Sequence, residues 1–203
     1  MDGSDGLTLH VLGGLAEIDK ASWDALANPP DAPFDPFISW DFLEALEASG
    51  CVSAEAGWTP AHLIARDGAG SLVGAAPLYA KDHSYGEYVF DHGWADALMR
   101  AGGQYYPKLQ CAAPFTPVPG RRLFARGAEV ETALARGAVT LAERAGASSV
   151  HVTFADGDVC TRLAALGYLK RAGLQYHWFN QGYRSFDDFL AVLSSQRRKT
   201  IRR

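Results

Sequence analysis

The sequence predicts a single α/β domain in which a mixed β-sheet is flanked by helices. Segments with apolar residues at every second position alternate with segments in which apolar residues recur at helical spacing. Their order is β-α-α-β-β, then a helix and a loop, then α-β-α-β-β-α, which combines hairpins with crossover helices. The chain has 203 residues, 48% of them apolar, and is therefore long enough to bury one core of its own.

The first five elements follow from patterning and from capping residues. Residues 7–12 alternate apolar and polar side chains and predict the first strand, and a helical stretch follows the two glycines after it. Ser39 stands at the N-cap position of a second helix, which Gly50 ends. Residues 61–67 and 71–82 predict two strands that a glycine-containing turn joins into a hairpin.

A proline-rich stretch interrupts the middle of the chain, after a short helix predicted over His92–Arg100. Prolines cannot donate sheet hydrogen bonds, so only Lys108–Ala113 could form a regular strand in this stretch. The prolines are Pro107, Pro114, Pro117 and Pro119. A stiff loop that also carries two tyrosines, a lysine and an arginine pair keeps one shape whether or not a ligand binds. We therefore predict a site there rather than a simple connection.

A long amphipathic helix is predicted over Ala128–Ala145, where apolar residues recur at helical spacing. Gly127 precedes this helix and Gly146 ends it. Residues 148–154 then alternate apolar and polar side chains, which predicts a strand.

The remaining elements are a helix, a hairpin and a last helix. Asp156 or Asp158 would cap the first of these helices. Residues 167–173 and 174–182 predict the two strands of a final hairpin. Ser185 stands at an N-cap position, from which we expect a helix that runs to the C-terminus.

Composition restricts the function classes. Nineteen Lys and Arg residues against 23 Asp and Glu residues give a net charge of −4, which argues against nucleic-acid or membrane binding through bulk charge. The start lacks a signal peptide and no apolar run approaches the roughly 18 residues of a membrane span, so we expect a cytoplasmic protein. Three widely spaced cysteines argue against a disulfide framework and a zinc site. The short motifs of common hydrolases, NTPases, dehydrogenases and zinc proteases are absent.

Three blocks of sequence carry a resemblance to a known family. They are FDHGWADALMRAGGQYYPKLQ, the proline-rich YYPKLQCAAPFTPVPGRRLF that overlaps it, and LQYHWFNQGYRSFDDFLAVLSSQRRKTIRR at the end. Together they resemble a bacterial family of Fem-like peptidoglycan biosynthesis/recognition proteins, related to the GNAT N-acyltransferases, from about residue 37 onward. The resemblance implies a GNAT-like fold and an enzyme that moves an acyl or aminoacyl group to an amine. A cell-wall precursor is one acceptor that the resemblance implies.

The family also implies donors and partners. No permanently bound cofactor is expected, and acyl-CoA or aminoacyl-tRNA would be the donor substrate. Members of the family are about twice as long, with two GNAT-like halves. We therefore expect residues 1–184 to form one GNAT-like domain and 185–203 to form a basic helix that leads into a second half, with a homodimer as an alternative partner arrangement. Five of the last seven residues are basic. We expect these basic side chains either to contact tRNA or to form a solvated helix end.

The resemblance places donor binding at the start of the long helix. GNAT enzymes hold the donor pyrophosphate in a loop patterned Q/R-x-x-G-x-G/A, on the N–H groups of a helix start. Here the pattern runs from Arg122 to Gly127, with Ala125 where glycine is usual. Arg121, Arg122, Arg126 and Gly127 are the expected donor-binding residues. The alternative is a basic loop that only caps a structural helix.

Candidate catalytic residues lie near the short helix and the proline-rich stretch. Acyl transfer to an amine requires a base, and Asp91 with His92 could supply it; the favoured alternative is that Asp91 is simply the N-cap of the helix. Tyr106 and Lys108 are expected to be polar groups of the pocket. Tyr105 is expected in the acceptor pocket, where packing alone is the alternative.

His177 is the other residue expected in the acceptor pocket, and a purely structural role is the alternative. No metal is expected, because His92 and Asp96 have no third ligand at a recognisable spacing. The competing function is a non-catalytic GNAT-like domain that recognises a peptidoglycan-type or protein partner.

Overall fold

Two four-stranded sheets form the framework of the computed structural model, which describes residues 6–203. The strands are β1 (Thr8–Leu12), β2 (Trp58–Pro60), β3 (His62–Arg66), β4 (Leu72–Ala76), β5 (Leu78–Lys81), β6 (Lys108–Cys111), β7 (Phe124–Ala125) and β8 (Val150–Val152). The helices are α1 (Lys20–Ala27), α2 (Trp40–Ala48), α3 (His92–Arg100), α4 (Ala128–Ala145), α5 (Gly157–Ala165), α6 (Phe186–Ala191) and α7 (Ser195–Ile201). The predicted α/β class, with β-strands flanked by helices, is confirmed.

The two sheets share a long β-segment that a proline divides. The first sheet has the order β1-β3-β4-β7 and is antiparallel throughout. The second has the order β2-β5-β6-β8, in which only the β6–β8 pair is parallel. Pro77 lies between β4 and β5, and because proline has no N–H to donate, the ladder changes partner there. The sequence predicted one sheet where the structure has two.

Helix α4 packs on both sheets and forms the main core. Its inward residues Leu134 and Ala138 meet Leu63 of β3 and Leu109 of β6 in one buried cluster. A second cluster lies around α1 and α2, where the rings of Trp23 and Phe124 meet edge to face at 5.6 Å. Burying these apolar surfaces is the dominant favourable term in folding.

Ser39 and Gly146 cap their helices as predicted, whereas Asp156 occupies the N-cap position of α5 without a side-chain capping bond. The Ser39 side chain accepts a hydrogen bond from the Phe42 N–H at the start of α2. Gly146 ends α4 in the left-handed conformation, with φ of 66°, which glycine adopts without steric cost. The predicted bounds of α3 and α4 are those of the structure.

Residues 171–203 form a compact unit of their own, whereas the larger unit ends at Lys170. This division precedes the boundary that the sequence suggested at residue 184. The predicted hairpin over residues 167–182 is wrong, because these residues contain no strand. An isolated hairpin is marginally stable in water, and here Tyr176 and Phe179 stay exposed rather than forming a buried face.

The predicted continuous C-terminal helix is also wrong. The chain forms two short helices, α6 and α7, and the Ser194 side chain caps the second by accepting a hydrogen bond from the Arg197 N–H. Serine side chains compete for backbone groups and therefore favour helix starts over helix interiors. Ser185 caps α6 as predicted.

Candidate active site

One face of the second sheet is polar although it is largely buried. Cross-strand register pairs Lys81 with Lys108 and Tyr79 with Gln110, so all four side chains point to the same side. Gln110 lies beside His151 of β8, the edge strand. We call these five residues the polar face. His151 is half-buried and the other four are fully buried, whereas the opposite face of the sheet packs against α4.

The loop of residues 82–91 supplies partners to the polar face. Its inward side chains are polar and buried, namely Ser84, Glu87 and Asp91. Its outward side chains are aromatic and exposed, namely Tyr85, Tyr88 and Phe90. Tyr88 and Phe90 have φ of 58° and 51°, a left-handed conformation that costs a non-glycine residue roughly 1–2 kcal/mol. Strain of this kind is concentrated at functional sites.

Lys108 is the centre of the resulting network. Its ammonium donates hydrogen bonds of 2.9 Å to Ser84 Oγ, 2.8 Å to Glu87 Oε2 and 2.8 Å to Asp91 Oδ2. An ammonium has three hydrogens, so all of its donors are used. The side chains of Lys108 and both carboxylates are fully buried, and such ion pairs are tolerated only when hydrogen bonds satisfy them this completely.

Two tyrosines close the network from the proline-rich stretch. The Tyr105 hydroxyl donates to Asp91 Oδ2 at 2.7 Å, and the Tyr106 hydroxyl lies 2.7 Å from Ser84 Oγ. Lys108 also lies within 6 Å of both rings, at 5.2 and 5.7 Å, where an aromatic face attracts a cation. The structure thus brings together four predicted site residues, Asp91, Tyr105, Tyr106 and Lys108.

Burial and pairing move the pKa values of the network in different directions. Burial raises the pKa of Glu87, and the pairing with Lys108 offsets only part of this rise. Burial alone would also raise the pKa of Asp91, but hydrogen bonds, led by that from Lys108, hold it below its ordinary value. Burial and the bond to Asp91 raise the pKa of the Tyr105 phenol. Asp91 is therefore ionised at neutral pH and Tyr105 is a neutral donor.

Lys81 is a second buried amine in a very different setting. Among residues 6–203 it has no carboxylate partner at salt-bridge distance. Its Nζ lies 3.7 Å from the centre of the Trp58 ring, 3.3 Å from the Tyr85 carbonyl oxygen and 3.4 Å from His83 Nδ1. Burial lowers the pKa of Lys81 to about 7, so a large share of this amine is neutral at neutral pH.

One group of side chains has the composition of a metal site. Glu87, Asp91 and His151 each offer one ligand atom, and these atoms lie within 4.8 Å of one another. The Lys108 ammonium already lies 2.8 Å from an oxygen of each carboxylate. A divalent ion would have to bind next to this positive charge, so the donor set fits a metal poorly.

The predicted donor-binding residues divide into buried and exposed ones. Arg122 is buried, and its guanidinium donates to the carbonyl oxygens of Thr153, Arg121 and Val118 at 2.6 to 2.9 Å. Its predicted role in binding donor phosphates is therefore wrong, because these backbone bonds occupy a side chain that has no access to solvent. Arg121 donates to the Ala27 carbonyl oxygen at 3.2 Å.

Arg126 and Gly127 lie at the surface where helix α4 begins. Arg126 is exposed and lines a groove of about 580 Å³ together with Arg66, Glu17 and Asp19. Gly127 is the N-cap of α4, with φ of 112° and open space around it. The first N–H groups of a helix have no partner within the helix, so this end could receive an anion, as the sequence predicted.

Two further predictions about histidines are not supported. Asp91 and His92 do not form a base pair, because the Asp91 carboxylate bonds to Lys108 and Tyr105 while His92 is exposed with its ring against Tyr85. Asp91 is the N-cap residue of α3, as the alternative predicted, but its side chain makes no capping bond. His177 belongs to the C-terminal unit, where its exposed ring stacks on Phe179 instead of standing on a strand.

The sequence reasoning missed four residues of the site. They are Ser84, Glu87, Lys81 and His151. A signal for two of them was present, because Lys81 and His151 each stand among apolar neighbours in strands whose other residues pack in the core. The register that places them on one face depends on tertiary pairing and could not be read from the chain.

Comparisons with known proteins were made against families, curated proteins and solved structures. No curated protein matches the chain. One similar solved structure is the aminoglycoside antibiotic 6'-N-acetyltransferase AAC(6')-Ih from Acinetobacter baumannii, with a TM-score of 0.48 and 15% identity. The alignment covers 87% of this chain and 100% of that chain. The FemAB-like family model, described as peptidoglycan biosynthesis/recognition, matches residues 14–203, and the chain therefore belongs to the FemAB-like family.

Proposed function

We propose that the chain is a Fem-like N-acyltransferase unit that moves an acyl or aminoacyl group to an amine on a cell-wall precursor. The observation that carries this proposal is the buried network in which Lys108 joins Glu87 and Asp91 beside Tyr105 and Tyr106. Such concentrations of perturbed titratable groups are typical of active sites. Membership of a family described by peptidoglycan biosynthesis/recognition supports the cell-wall acceptor.

The network contains polar groups of the kind that acyl transfer uses. The reaction needs a group that takes a proton from the acceptor amine and donors that stabilise the oxyanion of the tetrahedral intermediate. Tyr105 and Tyr106 carry their hydroxyls on a stiff segment, where they bond to Asp91 and Ser84, and the charge of Lys108 adds positive potential behind them. Direct attack of the amine on the donor carbonyl needs no covalent intermediate.

The donor would bind at the start of α4. Arg126 is the exposed cation at this helix end, and the free N–H groups of the first turn would meet the pyrophosphate of acyl-CoA. Aminoacyl-tRNA is the alternative donor. The cationic side chains of α7 and of the two residues after it line a cavity of about 460 Å³ in the C-terminal unit, and they are the candidates for contacting this tRNA.

A second candidate function is recognition without catalysis, and two observations favour it. Arg122 of the expected donor loop is bonded to backbone carbonyls, and the first turn of α4 carries Glu129 and Glu131. Negative charge at a helix start competes with a bound pyrophosphate. A chain that has lost donor binding would recognise a peptidoglycan-type or protein partner without transferring a group to it.

Calorimetric titration of the full chain with acetyl-CoA and longer acyl-CoAs tests the donor site. We expect binding near the micromolar range, about −8 kcal/mol, that Arg126→Glu abolishes. Arg136→Glu is the matched control, because Arg136 is exposed on the same helix but lies beyond its first turns. Arg122→Glu is unsuitable, since it would place a carboxylate against buried carbonyl oxygens.

The outcomes separate the two functions. If acyl-CoA binds to both Arg126→Glu and Arg136→Glu with the heat of the wild type, the donor binds elsewhere on the chain. If no acyl-CoA binds, and aminoacyl-tRNA supplies no group to a cell-wall precursor with a free amine, the enzyme proposal is contradicted and the recognition function takes its place.

A further inference from the structure

The buried polar atoms that lack a hydrogen-bond partner are concentrated at one place. Six such side-chain atoms occur within residues 6–203, and five of them lie on strands of the second sheet or in the loop of residues 82–91. They are Trp58 Nε1, the Tyr79 hydroxyl and Gln110 Oε1 on the sheet, and Glu87 Oε1 and Asp91 Oδ1 in the loop. An unpaired buried polar atom costs roughly 1–3 kcal/mol, so native proteins seldom retain several at one place without a use for them.

The sheet and the loop carry opposite charges where they meet. Lys81 and Lys108 are a cross-strand pair and lie side by side on the polar face. Glu87 and Asp91 both belong to the loop, and both accept a hydrogen bond from Lys108. Glu87 also favours the charged form of Lys81. The cations are therefore fixed on a sheet, whereas their anionic partners are carried by a connecting segment.

Neutral hydrogen-bond donors lie next to Lys81. Its Nζ is 3.7 Å from the centre of the Trp58 ring, so the indole N–H is close to the amine. The rings of Trp58 and Tyr79 meet edge to face at 5.4 Å, and the N–H of one and the hydroxyl of the other have no partner within residues 6–203. Two amines beside an indole N–H and a phenol form a set of donors that an oxyanion would satisfy.

The contacts that hold the loop are of a kind that a ligand anion can replace. Lys108 uses all three of its ammonium hydrogens on loop side chains. At the tip of the loop, the Gly86 carbonyl oxygen accepts a hydrogen bond of 3.2 Å from the Phe115 N–H. Tyr88 and Phe90 are exposed, so their rings do not anchor the loop in the core. Their left-handed conformations, at roughly 1–2 kcal/mol each, would relax if the loop moved away.

We propose that residues 82–91 are a lid over a carboxylate-binding site at Lys81 and Lys108, in which Glu87 and Asp91 take the place of a ligand's carboxylate. In this closed conformation both lysine side chains are fully buried, so a ligand enters only when the lid moves. A carboxylate that displaces the lid keeps Lys108 paired, so opening leaves no buried charge without a counter-ion. The class of ligand is a carboxylic acid at the end of a flexible chain, because a slender group can replace the loop carboxylates one by one.

Opening of the lid also changes the charge of the site. Burial lowers the pKa of Lys81 to about 7, and exposure would return this pKa towards its ordinary value of 10.5. Lys81 would then be protonated at neutral pH, and both amines would be cationic. The added positive charge favours an anion over a neutral ligand. The site goes beyond the proposed acyl transfer, since a catalytic unit and a recognition unit could both use it.

Hydrogen–deuterium exchange of the full chain tests the lid without any acyl donor. The probe is N-acetylglycine, which has a free carboxylate, and the matched control is N-acetylglycinamide, which has none. We expect the probe alone to speed amide exchange in residues 82–91 by at least about tenfold, because a displaced loop loses its protection. The amides of β3 serve as the internal reference and should keep their exchange rates.

Two variants should shift the effect of the probe in opposite directions. Glu87→Gln removes a carboxylate that competes with the probe, so the half-effective concentration should fall by at least about threefold. Lys81→Met removes one cation of the site and leaves the bonds of Lys108 in place, so that concentration should rise by at least about tenfold. A variant that folds poorly is recognised by faster exchange in β3 as well.

Three outcomes would overturn the lid and its site. They are exchange in residues 82–91 that the probe leaves unchanged or slows, equal responses to the probe and the control, and a response to inorganic phosphate but not to N-acetylglycine. The last would indicate a phosphate site instead. Failure of the lid is distinguishable from failure of the proposed function. A chain that transfers acyl groups but shows no response in residues 82–91 contradicts the lid alone, whereas a response in a chain that transfers nothing supports the lid and contradicts the enzyme.

Discussion

At the scale of single residues, Lys108 shows how burial and function are connected. Prolines on both sides of its strand hold it in an extended segment, and the strand places its ammonium under the loop of residues 82–91. The sequence was sufficient to single out Lys108 and Tyr106, because a basic and an aromatic residue on a stiff segment are unusual. It was not sufficient to identify Glu87 as the partner of Lys108, because the two residues are 21 positions apart in the sequence and meet only through tertiary folding.

Removing the Lys108 charge should destabilise the chain strongly. Lys108→Met leaves Glu87 and Asp91 buried without a counter-ion, and we expect the free energy of unfolding to fall by about 3–5 kcal/mol. Urea denaturation measures this change. Lys170→Met, at an exposed position, is the control and should alter stability by no more than about 0.5 kcal/mol. If Lys108→Met lowers the free energy of unfolding by less than about 1 kcal/mol, the network is accessible to water and not buried as described.

The pH dependence of stability should report on Lys81. Its pKa in the folded chain is about 7, against an ordinary value of 10.5. Between these values the unfolded chain binds a proton that the folded chain does not, so this residue makes stability rise as pH increases. Lys81→Met removes that contribution, and the advantage of the wild type over this variant should therefore grow between pH 7 and about 10. Urea denaturation at several pH values measures the difference, and a constant difference would contradict the lowered pKa.

At the scale of elements, the loop of residues 82–91 sets the geometry of the site. Helix α3 and strand β6 were predictable because their patterns are local, and their bounds begin where the sequence indicated. The loop was not predictable, because its polar residues face inward and its aromatic residues face solvent, opposite to the usual preference. Inward-facing polar side chains are favourable in this loop only because the polar face supplies hydrogen-bond partners for them.

The conformation of this loop depends on a glycine. Gly86 has φ of 81°, and a Cβ added there would lie 2.6 Å from atoms of the Phe115 ring. Gly86→Ala should therefore destabilise the chain by about 1–3 kcal/mol. Gly93→Ala is the matched control, because Gly93 has open space around it and lies in α3, where alanine is the better helix former. Thermal unfolding compares the two variants, and equal melting temperatures would argue against the loop conformation described here.

At the scale of the whole molecule, the sequence predicted the α/β class, the order of the helices and the family. It did not predict that the strands divide into two sheets, because Pro77 marks a break without specifying which strands pair on either side. Nor did it predict the split of the C-terminal helix at Ser194, where a local capping bond competes with helix continuation. The part of the chain that the structure describes contains no helix long and apolar enough to span a membrane.

The most direct measurement is the rate at which a labelled acyl or aminoacyl group passes to a cell-wall precursor with a free amine, in the wild type and in Tyr105→Phe. This variant removes only the hydroxyl that donates to Asp91, so we expect the rate to fall at least tenfold, about 1.4 kcal/mol of barrier. The melting temperature should change by only a few degrees. Tyr183→Phe, in the C-terminal unit, is the control and should keep the full rate. A wild type that transfers nothing, or a Tyr105→Phe variant at the wild-type rate, would contradict a catalytic role for the network.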